Sequence, residues 1–562
     1  MVTADKCRSV PFSERQNPGQ TVETINDHLP MPETPMAPFP EPRIRPAANT
    51  DLKKFGYKPM AMRLSEASEI LDDRIDEFAA VFEKKYDNED ITFGSAAVQS
   101  TSEIVAVGRI ASDSVEGKLN PASLVLETSR RTGAGRRVPL NVDSIPSVNF
   151  FPGQIVALLG INASGKYFSV KEVLPPPLLP PAVSSVPTIE STNERVSEAG
   201  PSPLNVMMAS GPYTAEDNLD FEPLKEICQK AAESYADGLI LMGPFLDIEH
   251  PLLASGDIDL PDSNIDPDTV TLTTVFKHCI STPLQKLASA VPNITIALVP
   301  SVRDAVSKHV SWPQEQLPKK ELGLPKQARM VSNPVTFSLN ETVIGMCSHD
   351  VLYELRREEA LHGKPQESNL LTRLVKYLIE QRHFLPIFPP SSRDTLPKPG
   401  IDGAPATGAA LDVSYSKLGE WWNVRPDILI VPSMLPPFVK VCPSPYFCND
   451  ANHAGCRQHS DYQPRDIVQT TSSRNLRADG HPPPGCQRRG ARTEEYKPQA
   501  IRALTGRHCP DIECIIMRCN DTNDHLNWVS ISNHQHHAIN RQMQIITANK
   551  QLSSLPSTSP HP

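Results

Sequence analysis

Between residues 103 and 173 apolar positions recur every second residue, and the runs are separated by turn-forming residues. That alternation predicts five short strands, Ile104 to Ala111, Ser123 to Thr128, Arg136 to Val142, Gln154 to Ile161 and Lys166 to Val173. Asn162-Ala163-Ser164-Gly165 reads as the hairpin connection between the last two, and Phe151-Pro152-Gly153 as the turn that precedes them. Five such strands suit a small closed barrel. Upstream the period is that of a helix: Leu71, Ile75, Phe78 and Phe82 share one face, with Glu66 and Glu69 near the start and Lys84 and Lys85 at the end, matching the helix dipole. From residue 204 onward buried-type strands (204–210, 237–243, 293–300) alternate with helices (221–236 and 271–291), the pattern of an α/β layer whose strands end in loops at one edge. A strand pair at 335–347, a helix at 368–382 and a strand at 426–432 complete that unit.

Composition places the boundaries. Pro outnumbers Gly by 57 to 27 and crowds residues 11–60, 174–203, 386–400 and 432–445, which are read as tails, linkers or loops. The expected organisation is a disordered segment at 1–58, a helical segment at 59–90, the barrel at 91–174, a Pro-rich semi-rigid linker at 175–203, the α/β unit at 204–440 and a tail without regular structure at 441–562. A net charge of -10 gives no overall field that would gather nucleic acid, so any such contact must be local. No run of 18 apolar residues and no secretory leader is apparent, which points to a soluble intracellular chain with no membrane partner. Seven of the 11 cysteines fall between Cys442 and Cys519.

The segments 150–174, 209–214, 239–247, 298–306, 380–390 and 425–440, taken in order, resemble the regulatory B subunits of the DNA polymerase alpha-primase complex, and residues 56–78 are similar to the preceding part of fungal members. The resemblance implies a multidomain α+β protein, an OB-fold β-barrel followed by an inactive calcineurin-like (metallophosphoesterase) α/β sandwich. It implies a non-catalytic nuclear scaffold with no cofactor. Such a scaffold binds the zinc-bearing carboxy-terminal module of the polymerase alpha catalytic subunit, reaches primase through the complex, touches DNA weakly, and supports RNA-DNA primer synthesis at the initiation of replication. Two departures stand out. Residues 1–58 are short and proline-rich where the family carries a folded helical region, and after Lys440 the family's closing strands are replaced by a stretch rich in Cys, His, Arg and Asn, as an out-of-frame translation would give.

Active metallophosphoesterases need Asp, His and Asn ligands at strand ends to seat two metals. Here Ser210-Gly211-Pro212 stands where Asp-x-His is expected, Pro244 replaces the bridging Asp, and Ser301-Val302-Arg303-Asp304 replaces Gly-Asn-His-Asp. Pro212 and Pro244 offer no side-chain ligand and Arg303 repels a cation, leaving Asp247, Asp304 and His349 as isolated candidates that serve better as caps and turns. Arg109, Arg130, Arg131, Arg136 and Arg137 form a candidate basic patch, with Phe150, Phe151, Tyr167 and Phe168 close by in sequence; a single strand could stack there, whereas a solvated hairpin tip and barrel core is the plainer reading. Cys442, Cys448, His453, Cys456 and His459, or Cys509, Cys514 and Cys519, lack the knuckle spacing of a zinc module. Residues 160–166 have P-loop spacing, but Tyr167 stands in the magnesium-ligand position and the segment joins two strands. Thr34, Ser202 and Thr282 precede prolines and are candidate phosphorylation sites. The rival functions are an active metal-dependent phosphodiesterase or nuclease and a stand-alone single-stranded DNA-binding barrel.

Overall fold

The computed structural model describes residues 20–25, 34–59, 61–114, 118–182, 184–199, 204–258, 260, 270–307, 311–365, 367–391, 410–421, 423–442, 512–516, 527–533 and 541–547. In chain order, β1 (Gln20–Ile25) and β2 (Pro46–Ala48) precede the long helix α1 (Leu64–Tyr86). Then come β3 (Ile104–Ser112), β4 (Leu124–Glu127), the single turn α2 (Arg130–Gly133), β5 (Arg137–Asn141), β6 (Ser147–Phe150), β7 (Ile155–Ile161) and β8 (Phe168–Leu174). After α3 (Val186–Ala199) follow β9 (Leu204–Ser210), α4 (Glu222–Glu233), β10 (Gly238–Met242), α5 (Pro251–Ser255), α6 (Leu272–Phe276), α7 (Thr282–Ala290), β11 (Thr295–Val299) and β12 (Ala328–Met330). The remainder is β13 (Val335–Leu339), β14 (Thr342–Met346), α8 (Val351–Glu358), β15 (Ala360–Gly363), α9 (Leu370–Gln381), β16 (Ile428–Ile430), β17 (Phe438–Cys442), β18 (Ile512–Ile516), β19 (Asn527–Asn533) and β20 (Arg541–Thr547).

The five expected strands close a barrel in the order β3-β4-β5-β8-β7. Ile104, Ala106, Ile110, Leu126, Leu158 and Phe168 fill it. The alternate residues of β3 and β7, Val105, Val107, Ile155 and Ala157, do not face solvent: they pack under Ile75, Phe78 and Phe82 of α1. This outer cover explains why β3 is buried on both faces. Helix α1 begins where the Glu66 carboxylate accepts the Arg63 backbone N–H at 3.2 Å.

The larger unit is two sheets with helices on both outer faces. One sheet has the order β1-β20-β19-β9-β10-β11-β12, the other β17-β18-β16-β14-β13-β2. Strand residues sort by parity: Met207, Ala209, Leu239 and Leu241 face the helices α4, α6 and α7, while Val206, Met208, Ile240 and Met242 face Phe337, Ile344, Met346 and Ile430 of the second sheet. Helices α8 and α9 cover the far side of that sheet. Between α6 and α7 the helix widens to a π turn at Lys277–Ser281, because Pro283 has no N–H to continue the regular ladder.

Three expectations are corrected. Residues 34–58 are not disordered throughout: β2 pairs with β13 from Leu339↔Pro46 to Phe337↔Ala48, Phe55 is fully buried, and the buried Arg43 guanidinium meets Asp237 at 3.1 Å. Their anchors lie far away in the chain, which a local reading cannot see. The linker at 175–203 contains α3, tied down by Arg195 Nη2 donating to the Asn340 side-chain oxygen at 3.1 Å. In the stretch 441–562, β18 lies between β16 and β17, and β19 runs antiparallel to β9 with β20 outside it. Val529 and Ile531 alternate with Ser530 and Ser532, a period-two signal that the abundance of Cys and His obscured.

Barrel, α1 and sandwich form one compact unit. The amide of Gln381, at the end of α9, acts as a strand partner for the barrel: its oxygen accepts the Ile155 N–H at 2.8 Å and its nitrogen donates to the Ile155 carbonyl at 3.0 Å. Strand β6 pairs with β15, and Phe151 sits fully buried against Tyr377. Arg74 of α1 donates to Glu420 at 2.6 Å and to the Gln381 carbonyl at 2.7 Å.

Candidate functional site

Because β9, β10 and β11 are parallel neighbours, the loops that follow them meet at one edge of the sheet. They meet closely. The Gly211 N–H donates to the Met242 carbonyl and the Gly243 N–H to the Val299 carbonyl, each at 2.8 Å. A β-carbon at Gly211 would lie 2.0 Å from the Pro244 carbonyl oxygen, and one at Gly243 would lie 2.6 Å from Asp304 Oδ2, so only glycine fits either place. Tyr213, fully buried, seals the junction by donating to the carbonyls of Ala209 and Met242.

The carboxylates at this edge are occupied by the chain itself. Asp304 accepts three backbone N–H groups, from Phe245 at 2.5 Å and Leu246 at 3.3 Å on one oxygen and from Ser301 at 2.8 Å on the other. Burial pushes its carboxyl up to about 7 against the pull of those three donors, with the nearby Asp247 charge adding to the rise. Arg303 grips Asp247 with two bonds, Nε to Oδ1 at 3.1 Å and Nη2 to Oδ2 at 2.5 Å, and also reaches Glu249 at 3.0 Å. The guanidinium thus supplies the positive charge that balances the Asp247 carboxylate. Ser210 is buried, and Pro212 and Pro244 contribute backbone only.

His349 lies on the loop after β14 and is not drawn to Asp247 or Asp304; its Nε2 meets Glu354 Oε1 at 3.0 Å. Burial works against the charged imidazolium, but the Glu354 carboxylate and its hydrogen bond, with Asp350 beyond, raise the His349 pKa above its ordinary value. Glu354 is buried as well, yet the same imidazolium draws its pKa down. The pair therefore contributes fully between pH 4.5 and 6.5, the ordinary values of the two groups, and is lost as pH rises through the raised His349 value or falls through the lowered Glu354 value. Thermal melts of the wild type and His349→Gln should differ most in that window, by about 2 kcal/mol. A difference that grows toward pH 9 would show that the pair is not ionic.

Four polar residues outside the degenerate motifs complete the edge. Gln314 Nε2 donates to the Ser301 carbonyl at 2.9 Å, Asn333 Oδ1 accepts the Ser348 N–H at 3.1 Å, Ser348 Oγ donates to the Pro300 carbonyl at 2.6 Å, and Asp350 Oδ2 accepts the Met434 N–H at 2.7 Å. Asn333 and Ser348 lie within two residues of a strand end and Asp350 caps α8, whereas nothing local marks Gln314. Among the described residues, no group of three or more His, Cys, Asp or Glu side chains is placed to hold a metal ion. Nor is any described helix long and apolar enough to cross a membrane.

Residues 206–440 match the family model for the B subunit of DNA polymerase alpha/epsilon, and residues 68–176 match the model for the OB domain of the DNA polymerase alpha B subunit. The fission yeast (Schizosaccharomyces pombe) DNA polymerase alpha B subunit is 38% identical over 425 residues, covering 75% of this chain and 69% of the relative. The chain belongs to the family of DNA polymerase alpha B subunits. The budding yeast (Saccharomyces cerevisiae) member is 38% identical, with 70% of this chain and 57% of the relative covered, and the rat (Rattus norvegicus) member is 27% identical, with 69% and 59% covered. The chain therefore spans between 57% and 69% of the length of these relatives. The OB-domain match starts inside α1, in keeping with the packing of that helix on the barrel.

The barrel arginines are less available than their spacing suggested. Arg130 pairs with Asp72 at 3.1 Å, Arg131 with Asp76 at 3.3 Å and Arg137 with Glu127 at 3.9 Å. Arg109 is buried on Glu127. Arg136 makes no such pairing among the described residues. Phe150, Phe151 and Phe168 are core residues, and of the four aromatics only Tyr167 is exposed. Thr34 is exposed, Ser202 lies outside the described residues, and Thr282 Oγ1 donates to the Lys277 carbonyl at 3.0 Å. Residues 160–166 do join two barrel strands, β7 and β8. Of the tail's candidate zinc ligands only Cys442, in β17, and Cys514, in β18, fall among the described residues.

Proposed function

We propose that this chain is a non-catalytic accessory subunit of the DNA polymerase alpha-primase assembly, acting in the nucleus. Its sandwich is an inactive calcineurin-like phosphoesterase frame, and barrel and sandwich together offer one rigid surface to the zinc-bearing carboxy-terminal module of the catalytic subunit. Through that module the subunit connects polymerase to primase for RNA-DNA primer synthesis. What carries the reading is the use of Asp304 and Asp247: both carboxylates at the strand edge are spent on backbone amides and on Arg303, which leaves no donor set for a two-metal centre. Arg130 and Arg131 fasten α1 to the barrel, Arg137 pairs with Glu127 within it, and DNA contact through Arg136 is weak and local. Thr34 and Ser202, preceding prolines in the Pro-rich stretches, are phosphorylation sites of this scaffold.

Two measurements test this. The purified chain should retain the recombinant carboxy-terminal module of a polymerase alpha catalytic subunit through size-exclusion chromatography, and failure to co-elute would overturn the scaffold role. With added manganese it should cleave no phosphodiester substrate; cleavage abolished by Asp247→Ala would establish the hydrolase instead. Residues 441–562 are the product of a frame shift or retained intron near Val441, and an uninterrupted frame through Val441 in the mature transcript removes that idea.

A further inference from the structure

A cleft of about 660 Å³ opens between the outermost strand of one sheet and the amino-terminal arm on the other. One wall is β12, which has β11 on one side and no strand on its other side among the described residues. The facing wall is Pro46, Ala48 and Leu52, and the floor is Leu317, Met330 and Phe337. Two cations stand in it, Lys319 and the exposed Arg329. The Lys319 ammonium is held in place by the carbonyls of Lys326 at 2.9 Å and Ala328 at 2.7 Å. Burial and the Arg329 charge lower the Lys319 pKa, so an anion beside it would relieve both effects. Lys320 and Lys326 are exposed next to them, making residues 318–329 a basic stretch on a chain whose net charge is -10. Glu315 is the one acid lining the cleft and lies on the side of Gly56.

We propose that this cleft docks a short extended acidic peptide from a partner protein, with its carboxylates on Lys319 and Arg329 and its apolar side chains against Pro46, Ala48 and Leu52. Neither Asp247 nor Asp304 lines this cleft. A nucleic-acid strand fits poorly, because stacking needs open aromatic faces and the one aromatic lining residue, Phe337, is buried. An extended peptide instead supplies alternating side chains, acidic ones for Lys319 and Arg329 and apolar ones for the facing wall.

The test uses the full chain and a fluorescein-labelled octapeptide of alternating Glu and Val, with an alternating Lys and Val octapeptide as counter-probe, read by anisotropy. The acidic peptide should bind saturably and weaken with salt, and the basic one should not bind. Arg329→Glu, which changes an exposed side chain, should weaken binding about tenfold, and Lys319→Glu with Arg329→Glu should weaken it further. Lys166→Glu at the distant hairpin tip should leave binding unchanged, and unaltered melting of Arg329→Glu guards against misfolding. No saturation up to millimolar peptide, equal binding of the two peptides, or full binding by Arg329→Glu overturns the proposal.

Discussion

Asp304→Ala should destabilise the protein by about 4 kcal/mol, because three buried backbone N–H groups lose their acceptor at once. Asp304 is 3% exposed, and the loops it ties are already at contact distance, so water has little room to replace it. Urea denaturation measures the loss, and a change under about 1 kcal/mol would show that the amides find other partners. Asp304→Asn separates charge from acceptance. The wild-type carboxyl rises from 3.8 to about 7 on folding, so its contribution is greatest below 3.8 and is lost as pH climbs through about 7. The asparagine does not titrate, and the advantage of wild type over Asp304→Asn should therefore shrink across that interval.

Asp237→Ala should cost about 3 to 5 kcal/mol, since the Arg43 side chain, with no solvent exposure, loses its bidentate carboxylate. Asp237 Oδ2 also accepts the Asn205 N–H at 2.8 Å, so the same substitution loosens the start of β9. The arm has an alternative to bearing a buried charge: it can peel away, releasing β2 from the sheet edge. Trypsin should then cut after Arg43 much faster in the variant than in the wild type while the barrel stays intact. Equal cleavage rates in the two proteins would mean that β2 and Phe55 hold the arm without the ion pair.

The residues differ in how far they could be read in advance. The barrel strands were legible because short apolar runs at 104–111, 123–128, 136–142, 154–161 and 166–173 are separated by turn-forming residues such as Pro152-Gly153 and Asn162 to Gly165. The cover of α1 over Val105 and Ile155 was not, since period two alone does not say what lies outside a barrel. Arg43 and Gln381 act on partners 194 and 226 residues away, and nothing local in the chain marks them. At the strand edge, the side chains of Pro244 and Arg303 already show that these two positions are poor metal ligands. The same motif gave no hint that Asp304 had become an acceptor for three amides, or that Arg130 and Arg131 would spend their charge on Asp72 and Asp76.

The pair of hydrogen bonds between Gln381 and Ile155 bears on how this protein can be dissected. A fragment ending at residue 176 would carry an unmatched main-chain pair and the naked ring of Phe151, and such fragments self-associate. Extending the cut to include α9 would bring β9 to β14 with it and split both sheets of the sandwich. Barrel and sandwich are therefore better perturbed by point substitution than by excision.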